Sequence, residues 1–262
     1  MANLFNMDLY RMFKAKSFKV CLLLSFLISL SRTPLMKLLD SLAKMVATEG
    51  EAPQTLVGPT ANLSDIIASP LSSFALIPLL ICVVLFFYAD MENGYIKNIA
   101  GQMPKRGFSI LSRFLVSIVH NGIFLIACVI GHLIGTLLFQ KITADGAVMT
   151  GILCFILKWV LLQSLCAILL LAAATFRSKS LGMVLAILFA IGGMGLLYLA
   201  IDQGLNALFK GFGGISPYMP DELLSSVSIQ EPRTLRAILS AAITTAIFLP
   251  LSIRVFDKRD VK

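Results

Sequence analysis

Long apolar runs separated by polar segments cover most of this chain. An α-helix needs about 20 apolar residues to cross the hydrocarbon core of a bilayer, and most of the runs approach or exceed that length. The first run is shorter, but Lys19 and Arg32 near its ends can extend their charged groups to the membrane surfaces. The pattern predicts an all-α integral membrane protein with six transmembrane helices in one domain, 1–262. The runs lie at about 18–30, 71–89, 110–139, 148–174, 181–201 and 237–253.

The first 16 residues have a different pattern. Leu4, Phe5, Leu9, Met12 and Phe13 recur at helical spacing, with charged residues between them. This spacing predicts an amphipathic helix, residues 1–16, that lies on the membrane surface. A cleaved signal peptide is the alternative, but the basic region is unusually long and no small-x-small cleavage site follows the apolar run.

Three longer polar segments connect the runs, at residues 33–70, 90–109 and 202–235. The first contains four prolines and the last contains three, and proline breaks regular helices. We therefore expect 33–70 to form a loop with at most short helices, and 202–235 to form a second large loop.

Composition supports a membrane location. The chain is 58% hydrophobic and 14% charged, against about 25% charged residues in an ordinary soluble domain. One soluble core of this length cannot bury so much apolar surface. A bilayer removes the difficulty, because lipid solvates apolar side chains on the outside of a helix bundle.

The net charge of +8 is distributed unevenly along the chain. The N-terminus, residues 90–113, the turn at 177–179 and the C-terminal tail together hold 14 basic and five acidic residues. The other connecting segments hold seven basic and nine acidic residues. Because cytoplasmic loops carry the excess of Lys and Arg, both termini are predicted to be cytoplasmic and the large loops to lie outside. The positive charge then faces anionic lipid, and no nucleic-acid partner is expected.

Motifs for enzymatic chemistry are missing from the sequence. There is no Gly-Lys pair, which excludes a phosphate-binding P-loop, and no HExxH or GxSxG motif. His120 and His132 would be about 18 Å apart along one helix, too far to share a metal without further ligands. The five cysteines all lie in apolar runs, as buried small hydrophobic residues do. We expect no enzymatic activity and no cofactor or metal site in this chain.

Lys158 is the one charged residue well inside an apolar run. Charged groups inside a membrane usually face the bundle interior or a water-filled path, which makes Lys158 a candidate for a translocation path. The alternative is that its stem extends toward the outer surface, with Trp159 as an interfacial anchor.

Small residues recur every four positions in two of the predicted spans. Such stripes allow helices to approach closely. We expect them to pack inside one subunit, with a dimer interface as the alternative. They are Ala127, Gly131 and Gly135 in the third span, and Gly182, Ala186 and Ala190 in the fifth.

The segment after the second span carries a recognisable pattern. Residues 90–107 read Asp-Met-Glu-Asn-Gly-Tyr-Ile-Lys-Asn-Ile-Ala-Gly-Gln-Met-Pro-Lys-Arg-Gly. The run resembles the first cytoplasmic loop of type-2 ABC exporter permeases, where an acidic residue precedes an Asn-Gly-Thr-Ile-Lys-Asn-like sequence and a basic turn. Asp90 takes the place of the usual Glu, while Tyr95 replaces the usual Thr and Pro104 departs from the familiar pattern. The direct matches are Gly94, Ile96, Lys97 and Asn98.

The resemblance implies a function in transport across a bacterial cell membrane. The chain is similar to small Gram-positive permeases for peptide or antimicrobial export and immunity, and residues 1–16 would be their amphipathic elbow helix. Separate ATPase subunits would supply ATP and Mg²⁺, and a second permease chain, identical or related, would complete the transporter. The expected ATPase-coupling residues are Asp90, Glu92, Asn93, Gly94, Tyr95, Ile96, Lys97, Asn98, Ile99 and Met103.

Other interpretations of the same pattern stay open. The basic, amphipathic 90–109 segment could simply lie on the inner leaflet. The chain could be a non-transporting sensor or immunity protein that binds a ligand through its outer loops. It could also be a secondary carrier using Lys158 or His120, although carriers usually contain internal repeats and we find no clear repeat.

Overall fold

The structure is a computed structural model that describes residues 2–46, 58–92, 107–176, 178–208 and 214–258. Within these ranges the chain is mostly helical, as the sequence predicts. The helices are α1 (Ala2–Lys14), α2 (Lys16–Val46), α3 (Leu63–Ala68), α4 (Ser73–Glu92), α5 (Gly107–Leu137), α6 (Val148–Thr175), α7 (Lys179–Ile191), α8 (Met194–Leu208), α9 (Pro220–Ser226) and α10 (Thr234–Asp257).

Five segments of the described chain are long and apolar enough to cross a membrane. A sixth results if α7 and α8, which meet at a bend of 79°, count as one span. The five segments are formed by α2, by α3 with α4, and by α5, α6 and α10. The prediction of a multi-pass helical membrane protein is thus confirmed at the level of five or six candidate spans.

The first span is longer than the sequence predicts. The sequence predicts a loop from residue 33, but α2 continues through Pro34 to Val46. Proline removes one helical N–H and leaves the carbonyl of residue 30 without its usual partner. Here the Leu30 carbonyl faces the backbone of Gly135 in α5, and Thr33 shares a 3.0 Å hydrogen bond with Thr136. Packing against α5 therefore carries the helix past the proline, and the prediction of a loop over 33–46 was wrong.

The fifth apolar run does not form one straight helix. Helix α7 ends at Gly192, which adopts a left-handed conformation with φ 78°, and α8 starts two residues later. Neither half reaches the roughly 20 residues needed to cross a bilayer alone. Part of the predicted 202–235 loop also has regular structure: the end of α8, a 3-10 turn at Ser216–Tyr218 and α9.

One end of the bundle gathers the segments that charge counting assigns to the outside. Strand β1 (Thr60–Asn62) pairs in parallel with strand β2 (Lys141–Thr143), which links two connecting segments distant in sequence. Beside this pair, the Ser64 hydroxyl donates a hydrogen bond to the Asp145 carboxylate. We call this end, with α3, α9 and the 3-10 turn, the outer cap.

The opposite end gathers the segments assigned to the cytoplasm. The backbone N–H of Gly107 donates to Asp257 at 2.7 Å, which joins the start of α5 to the end of α10. The Tyr88 hydroxyl donates to the carbonyl of Phe176 at 3.2 Å. Two sets of segments thus lie at opposite ends of the bundle, in the alternation that the sequence predicts.

Candidate functional site

Most of the predicted coupling segment lies outside the described residues. This applies to Asn93, Gly94, Tyr95, Ile96, Lys97, Asn98, Ile99 and Met103, and to the side chains of Asp90 and Glu92. The backbone of Asp90 and Glu92 forms the last turn of α4. The functional prediction for these residues therefore stays a prediction, and the structure describes only the helices that flank them.

The flanking helices are joined by a buried arginine. Arg113, two turns into α5, is fully buried and donates a 3.3 Å hydrogen bond to the carbonyl of Phe87 in α4. A buried guanidinium is costly unless it is well bonded. The hydrogen bond from Arg113 fixes the end of α4 relative to the start of α5. The 90–106 segment connects these two helices.

The N-terminal helix is attached at the same place. Ser112 of α5 donates a 2.5 Å hydrogen bond to the buried carboxylate of Asp8, and Met12, one turn further along α1, is also buried. Helix α1 therefore packs against the bundle next to the flanks of the 90–106 segment. Its hydrophobic spacing was evident in the sequence, whereas the role of Asp8 as an anchor was not.

Lys158 lies inside the bundle and not on its lipid-facing surface. Only 5% of the residue is accessible. Its neighbour Trp159 donates its indole N–H to the Ile118 carbonyl at 3.0 Å and packs over Gly122. Trp159 thus joins α5 and α6, and its role as an interfacial anchor stays a prediction.

Two further cationic or potentially cationic side chains lie in the membrane-spanning helices, Arg32 in α2 and His132 in α5. The Arg32 guanidinium donates to the Ser69 carbonyl at 2.8 Å, and His132 Nδ1 is buried without a hydrogen-bond partner among the described residues.

A hydrogen-bonded network crosses the interface of α5 and α6. The Asn121 amide donates to Gln163 at 3.1 Å and to the Cys166 sulfur at 3.2 Å. Gln163 in turn donates to the Ser117 hydroxyl at 2.7 Å. The hydrophobic pattern does not predict this network, although two amide side chains inside apolar runs are a visible signal for it.

His120 borders this network in a packed position. Its Nδ1 lies 3.1 Å from the Asn121 side-chain oxygen, and its ring stacks on Phe124 with 4.3 Å between ring centroids. His132 lies on the same helix, far from His120. Among the described residues, no three His, Cys, Asp or Glu side chains converge where they could hold a metal ion.

The small-residue stripes lie at contacts within the subunit. A Cβ atom on Gly182 would be 2.8 Å from the Tyr88 ring of α4, and Ala186 and Ala190 are buried. In the other stripe, Gly135 faces the backbone of Leu30. Both stripes are therefore used for helix packing inside one chain.

The chain matches no protein-family model, and no curated protein shows a significant match to it. The apolar helices define the class as a helical, multi-pass membrane protein.

Proposed function

We propose that this chain is the transmembrane subunit of an ABC exporter that moves a peptide, antimicrobial or other amphipathic substrate with ATP hydrolysed by separate subunits. The observation that carries the proposal is the resemblance of residues 90–107 to the first cytoplasmic loop of type-2 ABC permeases. Two permease chains and two ATPase subunits would form the transporter in a bacterial cell membrane.

The anchored flanks of that segment supply a physical route for coupling. A soluble ATPase transmits motion to a bundle by moving a rigid element at the end of the spans. Arg113 links α4 to α5 and Asp8 links α1 to α5 at the same end. A displacement of the 90–106 segment would therefore be transmitted to α4, α5 and α1 together.

Substrate would move along the interface between the two permease chains, with alternating access set by ATP binding and hydrolysis in the partner. Lys158 is the candidate residue of this chain for the path, because its charge lies inside the membrane-spanning region. Its burial inside the bundle supports contact with an internal path more than contact with lipid.

The apolar residues of the segment test the proposal. Tyr95→Ala with Ile99→Ala removes two side chains that an ATPase would bury, and truncating a buried anchor at an interface costs about 2 kcal/mol or more. We expect roughly a thirtyfold loss of ATPase affinity with near-normal expression and detergent stability, measured by co-purification and stimulated ATP hydrolysis.

A matched control replaces the same residue types at the outer cap, as Tyr218→Ala with Ile215→Ala. Tyr218 is exposed and Ile215 half-buried there, so ATPase association should be retained. Full association and transport in the Tyr95 and Ile99 variant would show that the segment only lies on the membrane surface.

A second candidate function is a non-transporting protein that binds an external ligand. The folded outer cap favours it, since β1 with β2 and α9 present a defined surface outside the candidate spans. The two candidates differ in one measurement: an ATPase subunit that co-purifies with the chain supports the exporter, and external ligand binding without any ATPase supports the second.

A further inference from the structure

Helix α8 exposes a group of large apolar side chains in its first two turns. Leu196, Leu197, Leu199 and Ile201 are all exposed, and the exposed fraction of Leu196 reaches 77%. Contiguous exposed apolar surface marks a contact with another protein or with a membrane. The first half of α8 therefore requires an apolar partner that the described part of the chain does not supply.

Another side of α8 is attached to the outer cap. Tyr198 is buried, and its hydroxyl donates a hydrogen bond to the Asp221 carboxylate at 3.0 Å. One turn later, the Asp202 carboxylate accepts the backbone N–H groups of Ile215 and Ser216 at 2.6 and 3.2 Å. These polar bonds fix the side of α8 that faces the cap, and they leave the exposed leucines on the sides that do not.

The length of α7 sets the depth at which α8 begins. Helix α7 starts at Lys179, near the inner end of the bundle where Tyr88 bonds the Phe176 carbonyl. Its 13 residues extend about 20 Å. The hydrocarbon core is about 30 Å thick, so α7 ends about 10 Å before the opposite boundary. The bend of 79° then directs α8 nearly parallel to the membrane plane at that depth.

The exposed surface of α8 continues the exposed apolar surface of α7. Leu181, Val184, Leu188 and Ile191 are exposed along α7. No charged residue occurs from 181 to 201. The apolar surface of a candidate span therefore passes into α8 without a charged interruption, and the lipid that covers one covers the other.

Polarity changes halfway along α8. In its second half the exposed positions are Gln203, Gly204, Asn206 and Ala207, with no large apolar side chain among them. This order fits a helix whose first half lies among acyl chains and whose second half reaches headgroups and water. A partner helix would cover both halves alike, whereas the boundary between acyl chains and headgroups requires the change.

We propose that α8 binds the acyl chains of the leaflet on the side of the outer cap, with Leu196, Leu197 and Leu199 in the hydrocarbon region. Amphipathic helices insert about 5–10 Å below a membrane surface, which agrees with the depth that α7 sets. Through Tyr198 and Asp202 the same helix attaches the outer cap to the membrane. The contact does not require an ATPase, so it exists in the exporter and in the ligand-binding candidate alike.

Site-directed spin labels measure the surroundings of each position. In a cysteine-free chain reconstituted in phosphatidylcholine vesicles, a nitroxide is attached in turn to Leu196→Cys, Leu199→Cys, Gln203→Cys and Ala207→Cys. Collisions with oxygen, which concentrates in hydrocarbon, are compared with collisions with a water-soluble nickel complex. Labels at 196 and 199 should collide more with oxygen, and labels at 203 and 207 should collide more with nickel.

Two exposed positions calibrate the measurement. Ile243→Cys in the candidate span α10 should give the oxygen-rich result of lipid contact, and Ser225→Cys in the outer cap should give the nickel-rich result of water. Because all five native cysteines are buried, the same labels are also attached to the chain that retains them. The pattern should be the same in both backgrounds, so the result does not depend on removing buried thiols.

Two results would overturn the proposal. If labels at 196 and 199 collide mainly with the nickel complex, α8 lies in water. If these labels are shielded from both reagents and show spin–spin broadening, a second copy of the chain covers α8 in place of lipid. Neither result would bear on the exporter proposal, since no ATPase is present in the assay.

Discussion

Gly131 of α5 lies directly against the backbone of α2, so that a Cβ atom at residue 131 would be 2.7 Å from the carbonyl oxygen of Phe26. Real Cβ atoms do not approach a backbone oxygen so closely. The absence of a side chain at this position therefore sets the distance between two spans. Nearby Cys128, one turn earlier, points its sulfur at the Ser25 carbonyl at 3.8 Å.

Replacing this glycine should separate the two helices. Gly131→Ala is expected to destabilise the bundle by about 1–3 kcal/mol, the usual cost of adding a methyl group to a packed contact. Gly204→Ala is the matched control, because Gly204 lies in α8 with no atom within 4 Å of its Cβ position. The control should be neutral or slightly stabilised, since alanine favours helices. Thermal unfolding in detergent measures both, and equal stability of the two variants would contradict the close contact.

The amide network between α5 and α6 should show energetic coupling. Asn121→Leu or Gln163→Leu alone leaves buried polar groups without partners, at a cost of about 1–3 kcal/mol. The double variant removes both partners together, so it should cost less than the sum of the single changes. Asn121→Leu combined with the exposed Gln203→Leu should be additive. Strict additivity in the first pair would mean that the network contributes nothing as a unit.

Asp221 in the outer cap should make stability depend on pH. Burial raises the pKa of Asp221 above its ordinary value of 3.8, although a 3.0 Å hydrogen bond from the Tyr198 hydroxyl opposes this. The folded state therefore holds a proton more tightly than the unfolded state. Its stabilising contribution is present below about pH 4 and is lost as the pH rises through the folded-state pKa.

Asp221→Asn should remove this dependence. Relative to the variant, the wild type should lose stability as the pH rises above about 4, measured by thermal unfolding at each pH. Asp202→Asn is the comparison, because Asp202 accepts backbone N–H bonds from Ile215 and Ser216 at 2.6 and 3.2 Å. That change should weaken the cap without reproducing the Asp221 profile. Parallel pH profiles for wild type and Asp221→Asn would refute the interpretation.

Topology can be measured by cysteine labelling. All five native cysteines are buried, so the wild type should react poorly with an impermeant reagent in intact cells. In a cysteine-free background, Ser225→Cys should react from outside, and Ser178→Cys should react only after the membrane is opened. Both serines are exposed in the structure. Labelling of Ser178→Cys in intact cells would reverse the predicted orientation.

Lys158 should matter for transport if it lines the substrate path. Lys158→Met keeps the apolar stem and removes the charge, so assembly should be retained and export should fall, whereas Lys158→Arg should keep most of the export. The measurement is substrate efflux from cells or vesicles containing the complete transporter. Unchanged export in Lys158→Met would exclude Lys158 from the path.

The sequence by itself determined the class of the protein and the number of its apolar segments. Runs of about 20 apolar residues have one stable environment, the bilayer, and backbone hydrogen bonding then requires helices there. It also identified Lys158 as unusual, because a single charge in such a run is visible without any fold. The alternation of basic and acidic segments along the sequence also predicted which connecting segments lie at the same end of the helix bundle.

Only the tertiary structure decided where those helices end and which polar residues meet. Pro34 predicts a helix end, but α2 continues because Gly135 and Thr136 of another helix accommodate and bond it. The run over 181–201 is apolar throughout, yet the chain bends after Gly192. The hydrogen bonds of Asn121 and Ser117 with Gln163 join two helices whose contacting residues are more than 40 positions apart in sequence. Such contacts depend on how helices pack, and a local pattern along one chain does not encode the relative position of distant segments.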